Sequence, residues 1–358
     1  MIDRNIKFTI FFHLLLWSLI YLIAAWNGLS EKLVPFLYLD SLFSGMIITF
    51  FLHFACYFIY LAINKSPSPL SELVNIYKKS IFNKKQILSA GFLVSIVTIN
   101  SSLYTSFKSL IPKINSFSYD LTLANIDRKI HFGFNPWELT HMLFSTPEWS
   151  MFISLIYTIW LFAFWWFVCA IVFSLKEFKT KFMIISGFNF IWIINGSILA
   201  LLFSSAGPCF FEYIDYSEHS GLFISLTNIL EEQKLYFESK GYWFGVPATI
   251  MQDMLWAAYV EDKTEIGAGI SAFPSMHVSV CMYMWLVVRE HFKQLSKLLF
   301  IFLLLILIGS VHLGWHYAID GYVSILTTYV IWKFTQRIFN WKRPTCRKNV
   351  LSGQGSND

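Results

Sequence analysis

Charge is what this chain has least of. Only 14% of its 358 residues are Asp, Glu, Lys or Arg, against about 25% in an ordinary soluble protein. That deficit excludes a water-covered surface. Cysteine is scarce as well, five in all. Cys56, Cys169 and Cys281 fall inside apolar runs, Cys346 lies in the C-terminal tail, and Cys209 stands alone at the edge of a run. Neither disulfides nor a thiolate metal site is expected. No long low-complexity tract, internal repeat or soluble domain is visible. A cleavable secretory signal is not expected either, because the first apolar run, Ile10 to Trp26, is long enough to span and has no small-residue cleavage site before Asn27.

What is present is apolar and aromatic, 56% and 19% of the chain. A transmembrane helix needs about 20 mostly apolar residues. Eight stretches approach or exceed that length: about 8 to 26, 36 to 63, 87 to 107, 149 to 175, 182 to 205, 274 to 290, 298 to 314 and 316 to 336. The expectation is an all-α polytopic membrane protein of about eight transmembrane helices.

The formal charge of +5 sits in short clusters between the runs, without a basic face or a nucleic-acid motif, so no nucleic acid is expected as a partner. The clusters read as topology signals. Lys65, Lys78, Lys79, Lys84 and Lys85 lie in one linker, and Lys176, Lys179 and Lys181, then Arg289, Lys293 and Lys297, then Lys342, Arg343, Arg347 and Lys348, recur with the parity of Arg4 and Lys7. Under the positive-inside rule these faces and both termini are cytoplasmic. The opposite side, periplasmic if the membrane is a bacterial inner membrane, receives two longer segments, about 108 to 148 and 206 to 273. Within the first, 119–134 reads as an interfacial helix on the outer surface.

Two stretches on that outer side carry chemistry. In Gly269-Ile-Ser-Ala-Phe-Pro-Ser-Met-His277 a polar Pro-Ser-x-His element opens the sixth span. Ser275 and the free backbone N–H groups of a helix start suit an anion, with His277 one turn inside. In Ser310-Val-His312-Leu-Gly-Trp-His316-Tyr-Ala-Ile-Asp320 the last histidine and the aspartate are four apart, so on a helix imidazole and carboxylate share one face and Asp320 can fix the His316 tautomer. A nucleophilic imidazole, a second imidazole able to protonate a leaving oxygen and a carboxylate to steady the imidazolium suit in-line displacement at phosphorus. The rival readings are a buried His–Asp pair that locks helices together, and a metal site, for which the usual helical spacing motif is missing. No metal or other cofactor is expected. Subsidiary candidates for substrate contact are His312, one turn before His316, where helix packing is an equal alternative; Lys108 at the outer end of the third span, where snorkelling is the alternative; and Gly207 with Pro208, in the turn that ends the fifth span, where a plain helix stop is the alternative. The wealth of tryptophan, Trp160 among it, reads as interfacial belt and packing material.

The run Ala-Phe-Pro-Ser-Met-His at 272 to 277, followed by His-Tyr-x-x-Asp at 316 to 320, resembles the second and third signature motifs of the type 2 phosphatidic acid phosphatase superfamily, with the flavour of its inositol phosphorylceramide synthase-like branch. The resemblance covers about residues 86 to 340. It implies a six-helix catalytic core there, preceded by two accessory helices and a basic linker over residues 1–85 and followed by a tail over 341–358. It also implies that His316 is the nucleophile, Asp320 its partner and His277 the acid. The phosphatases of that superfamily carry Lys and Arg before a Pro in their first motif and an Arg after the Ser of the third; here those places read Ser204-Ser-Ala-Gly-Pro208 and Ser310-Val311. With those cations missing, a dianionic monoester lacks its neutralising charges. A phosphodiester needs fewer, which favours transfer of a head-group phosphate from a phospholipid donor to a lipid or polyol hydroxyl. Hydrolysis with water as acceptor, and a lipid binder or transporter using the His–Asp cluster as a proton site, are the competing expectations.

Overall fold

A computed structural model describes residues 3–39, 47, 50–51, 54–55, 57–59, 61–63, 65–81, 83–174, 176–214, 221–242, 245–290 and 293–341. In chain order the main helices are α1 (Arg4–Trp26), α2 (Pro69–Ile81), α3 (Lys84–Ile114), α4 (Asp120–Ile130), α5 (Pro136–Leu143), α6 (Pro147–Val172), α7 (Phe178–Ile193), α8 (Ile224–Ser239), α9 (Pro247–Val260), α10 (Met276–Val288), α11 (Lys293–His312) and α12 (Ala318–Ile338). Among the described residues there is no strand. Five stretches are long and apolar enough to cross a bilayer: α1, α3, α6, Phe178–Leu202 and Leu295–His312. The chain is therefore an all-α, polytopic integral membrane protein. Part of the expected second span, 36 to 63, and the whole basic cluster of the tail lie outside the described residues. The sixth expected span is a short apolar helix, and the eighth, α12, is interrupted by polar side chains such as Asp320, Ser324 and Thr328 that face inward.

Local chemistry sets the helix ends. Asn83 caps α3 by accepting from the backbone N–H groups of Lys85 and Gln86 at 3.0 and 3.4 Å. Pro136, Pro147 and Pro247 each occupy a first helical turn, where the missing N–H costs nothing. Helix α11 stops at His312 because Gly314 turns the chain at φ +74°.

Helix α7 is the axis of the bundle. Every residue from Lys181 to Ile193 is buried, and 78% of its spanning window lies inside the protein against 17% for α1. Helix α1 instead turns Phe8, Phe11, Leu14 and Leu22 outward, the apolar face lipid requires. Against α7 pack α3, α10 and α12. At one end of the bundle Lys181 donates to Gln86 Oε1 and the Val172 carbonyl, both at 2.9 Å, and Lys179 pairs with Asp3 at 2.8 Å. At the other end lie the short helices α4, α5, α8 and α9 and the loops that hold the candidate residues.

Candidate active site

Three loops meet where α7 ends, α10 begins and α12 begins. Ala272 N–H donates to the Ser205 carbonyl at 2.8 Å, and Cys209 N–H to the Gly314 carbonyl at 2.8 Å. Phe273 N–H adds a bond to Ser205 Oγ at 3.1 Å. The turn at Ser204 to Pro208 thus bridges the loop before His277 and the loop before His316. Gly207 makes the close approach possible: its φ is +96°, and a Cβ there would stand 2.6 Å from the Trp315 carbonyl oxygen. Gly207→Ala is expected to cost roughly 1–3 kcal/mol of stability and to lower turnover by displacing His316, readable as thermal unfolding and activity of the detergent-purified variant.

Helix α4 staples these loops from outside. Asp120, fully buried, accepts from Ala206 N–H at 2.9 Å, Gly207 N–H at 2.8 Å and Tyr317 Oη at 2.9 Å. Two turns on, Asp127 accepts from the N–H groups of Ala318 and Ile319 at 2.6 and 2.8 Å, the exposed donors of α12's first turn. Burial raises the Asp127 carboxyl above the usual carboxylate range, and the two backbone donors and His131 offset part of that. Two natural anion sites, a backbone nest and a helix start, are therefore filled by internal carboxylates.

Within this frame Asp320 Oδ2 lies 3.4 Å from His316 Nδ1 and accepts from Tyr317 N–H at 3.0 Å. The separation is within ion-pair reach but beyond a well-made hydrogen bond, and among the described residues His316 Nδ1 and Asp320 Oδ1 have no hydrogen-bond partner. His316 and His277 have ring centroids 6.2 Å apart, inclined at 61°. Lys108 lies close enough for its charge to act on both rings. Among the described residues its ammonium has no partner. Gly269, at φ +88°, presses the loop against Lys108 and Ser109. A narrow cleft with Asp127, Trp137, Pro208, His316 and Tyr317 in its wall reaches His316 from the side of α4 and α5.

The remaining candidates fall elsewhere. His312 is fully buried, with Nε2 2.8 Å from Ser150 Oγ, Nδ1 3.3 Å from Thr140 Oγ1 and its ring stacked on His141 at 3.9 Å. Both nitrogens are engaged in joining α11 to α5 and α6, which favours the packing alternative over substrate contact. Ser275 is the N-cap of α10, its hydroxyl accepting from Val278 N–H at 3.4 Å. The Gly207 N–H donates to Asp120 and Gly207 closely approaches the Trp315 carbonyl. Pro208 lines the cleft.

A family model of the PAP2 superfamily matches residues 121–334, more than half of the chain. The chain belongs to the PAP2 superfamily. Members of the PAP2 superfamily are generally phosphatases or phosphotransferases, so this is a lipid-phosphate enzyme of that general type, working on lipid in a membrane. The match runs from inside α4 to inside α12, and the PAP2 region therefore contains both motif stretches while Lys108 lies ahead of it. No curated protein and no solved structure matches the chain.

Asp120 and Asp127 were not singled out by the sequence. Their signal is a pair of acids seven apart, two turns along one face of a helix. The same spacing on the amphipathic helix expected there would place them in water.

Proposed function

We propose that this protein is a phosphotransferase of the inositolphosphotransferase-like kind, which moves a phosphate-linked head group from a phospholipid to a lipid or polyol hydroxyl through phospho-His316. With Asp320 behind Nδ1, the Nε2 lone pair of His316 forms the N–P bond. The P–O bond to the lipid oxygen breaks, and a proton from His277 makes that oxygen the hydroxyl of diacylglycerol. In the second half the acceptor oxygen attacks phosphorus, its proton passes to His277, and the N–P bond breaks. Lys108 neutralises the single negative charge of the diester; no second free cation stands beside it among the described residues, which favours a diester over a monoester. Ser275, at the start of α10, and Pro208, in the cleft wall, border the substrate. The catalytic core spans residues 86–340. The site faces the non-cytoplasmic side, the periplasm if the host membrane is a bacterial inner membrane, with both termini cytoplasmic, in keeping with the basic clusters at the opposite end of the bundle.

The observation that carries this reading is the meeting of His277, His316 and Asp320 at one bundle end, two imidazoles 6.2 Å apart with a carboxylate behind one of them. The test is to incubate purified protein with labelled phosphatidylinositol, phosphatidylethanolamine and phosphatidylglycerol, with and without a lipid alcohol, and to resolve products by mass. Diacylglycerol together with a new phosphodiester lipid is the expected result. Phosphate released from phosphatidic acid, with no diester turned over, would make water the acceptor and the enzyme a phosphatase.

A further inference from the structure

We propose that Tyr157 and Trp160 form an aromatic clamp that holds His277 as proton donor to a poor, alkoxide-type leaving group, an inference that rests on the function proposed above. The two side chains are three apart on α6 and so share a face. The Tyr157 ring stacks on the His277 ring at 4.4 Å and 23°, and the Trp160 ring lies 4.1 Å from it at 40°. Trp160 Nε1 also donates to the His277 carbonyl at 3.1 Å, which fixes the backbone that bears the ring. Trp315, the residue next to His316, lies nearly parallel to Tyr157 at 7° and 6.3 Å.

The clamp answers a question the hydrogen bonds leave open. His316 has Asp320 at its back, whereas among the described residues no side-chain or backbone hydrogen bond reaches either His277 nitrogen. The charged or chargeable groups whose fields reach His277 are His316 and Lys108; neither is a carboxylate. What fixes the plane of this imidazole is the pair of π faces, and an aromatic face attracts the imidazolium that must exist before the proton is given away. A superfamily site with fewer phosphate-binding cations depends more on its acid, and the acid here is held by rings.

The distinguishing property of an acid is leaving-group dependence. A diacylglycerol alkoxide needs the proton, whereas p-nitrophenolate departs without it. The full chain in detergent is assayed on whichever phospholipid of the panel above it turns over and on p-nitrophenyl hexadecyl phosphate. His277→Gln, Tyr157→Leu and Trp160→Leu are expected to lose about tenfold or more on the phospholipid and less than about threefold on the nitrophenyl donor, while Tyr157→Phe and Trp160→Phe recover most of the phospholipid activity. Equal losses on both donors in the leucine variants, with His277→Gln still selective, would overturn the clamp and leave the proposed function standing. Phenylalanine variants as impaired as the leucine ones would also overturn it, since the hydroxyl or indole N–H and not the ring would then be the working part. Wild type inactive on both donors would remove the proposed function and the clamp with it.

Discussion

His316→Ala is expected to lower turnover of every phospholipid donor by roughly 10⁴-fold or more, the scale on which removing a covalent nucleophile acts, with little change in stability. The two halves of that statement come from the same geometry. Nδ1 of His316 has no hydrogen-bond partner among the described residues, and its contact with Asp320 is a 3.4 Å approach rather than a made bond. The hydrogen bond that shapes the loop is His316 N–H to the Ser310 carbonyl at 3.0 Å, which alanine keeps. Apart from one hydrogen bond to the Ala272 backbone, the side chain is invested in chemistry more than in fold. A variant that inserts, elutes and unfolds like wild type but does not turn over is the expected outcome. An equally active variant would exclude the histidine as nucleophile, and a variant that no longer folds would mark the His–Asp pair as a helix lock.

Asp120→Ala is expected to do the reverse, destabilising the protein by roughly 2–5 kcal/mol and lowering activity along with it. Its carboxylate satisfies Ala206 N–H, Gly207 N–H and the Tyr317 hydroxyl in a fully buried place. Each buried donor left without a partner costs about 1–3 kcal/mol. Removal also unties the turn at Ser204 to Pro208 from the loop that carries His316, so the Gly207 contact with the Trp315 carbonyl loosens. Asp120→Asn retains one acceptor oxygen and is expected to fall between alanine and wild type. Thermal unfolding in detergent, read beside turnover, separates the two: activity lost at wild-type stability would contradict a stapling role for Asp120.

How much of this the sequence disclosed depends on the range over which each signal acts. Long apolar runs report their surroundings locally, and α1, α3, α6, α7 and α11 lie where the runs place them. The residues His277, His316 and Asp320 stood out because rare polar side chains in apolar runs are conspicuous, and their spacing was itself local information. The staple was not legible. Asp120 and Asp127 bond to residues 86 to 197 positions away, and a short amphipathic helix with Arg128 and Lys129 on its exposed face looks the same in sequence whether its acids meet water or backbone donors. His312 stayed open between substrate contact and helix packing for a related reason: only the fold places Ser150 and Thr140 on its two nitrogens. Trp160 and Tyr157 vanish among the many aromatics that an interface and a core both use. Lys108 reads in sequence as either snorkelling or inward-facing, because the Gly269 loop that packs against it is remote in the chain.

The account stands on the covalent step. Purified wild-type protein, mixed briefly with the phospholipid it turns over, with the phosphate isotopically labelled, and quenched in alkali, should yield a peptide containing His316 that carries the labelled phosphoryl head group through an acid-labile, alkali-stable bond. Chase with a lipid alcohol should discharge it into a phosphodiester lipid, and His277→Gln should slow both its formation and its discharge. Turnover without label on His316 at any time, or label on another residue in wild type, would contradict it.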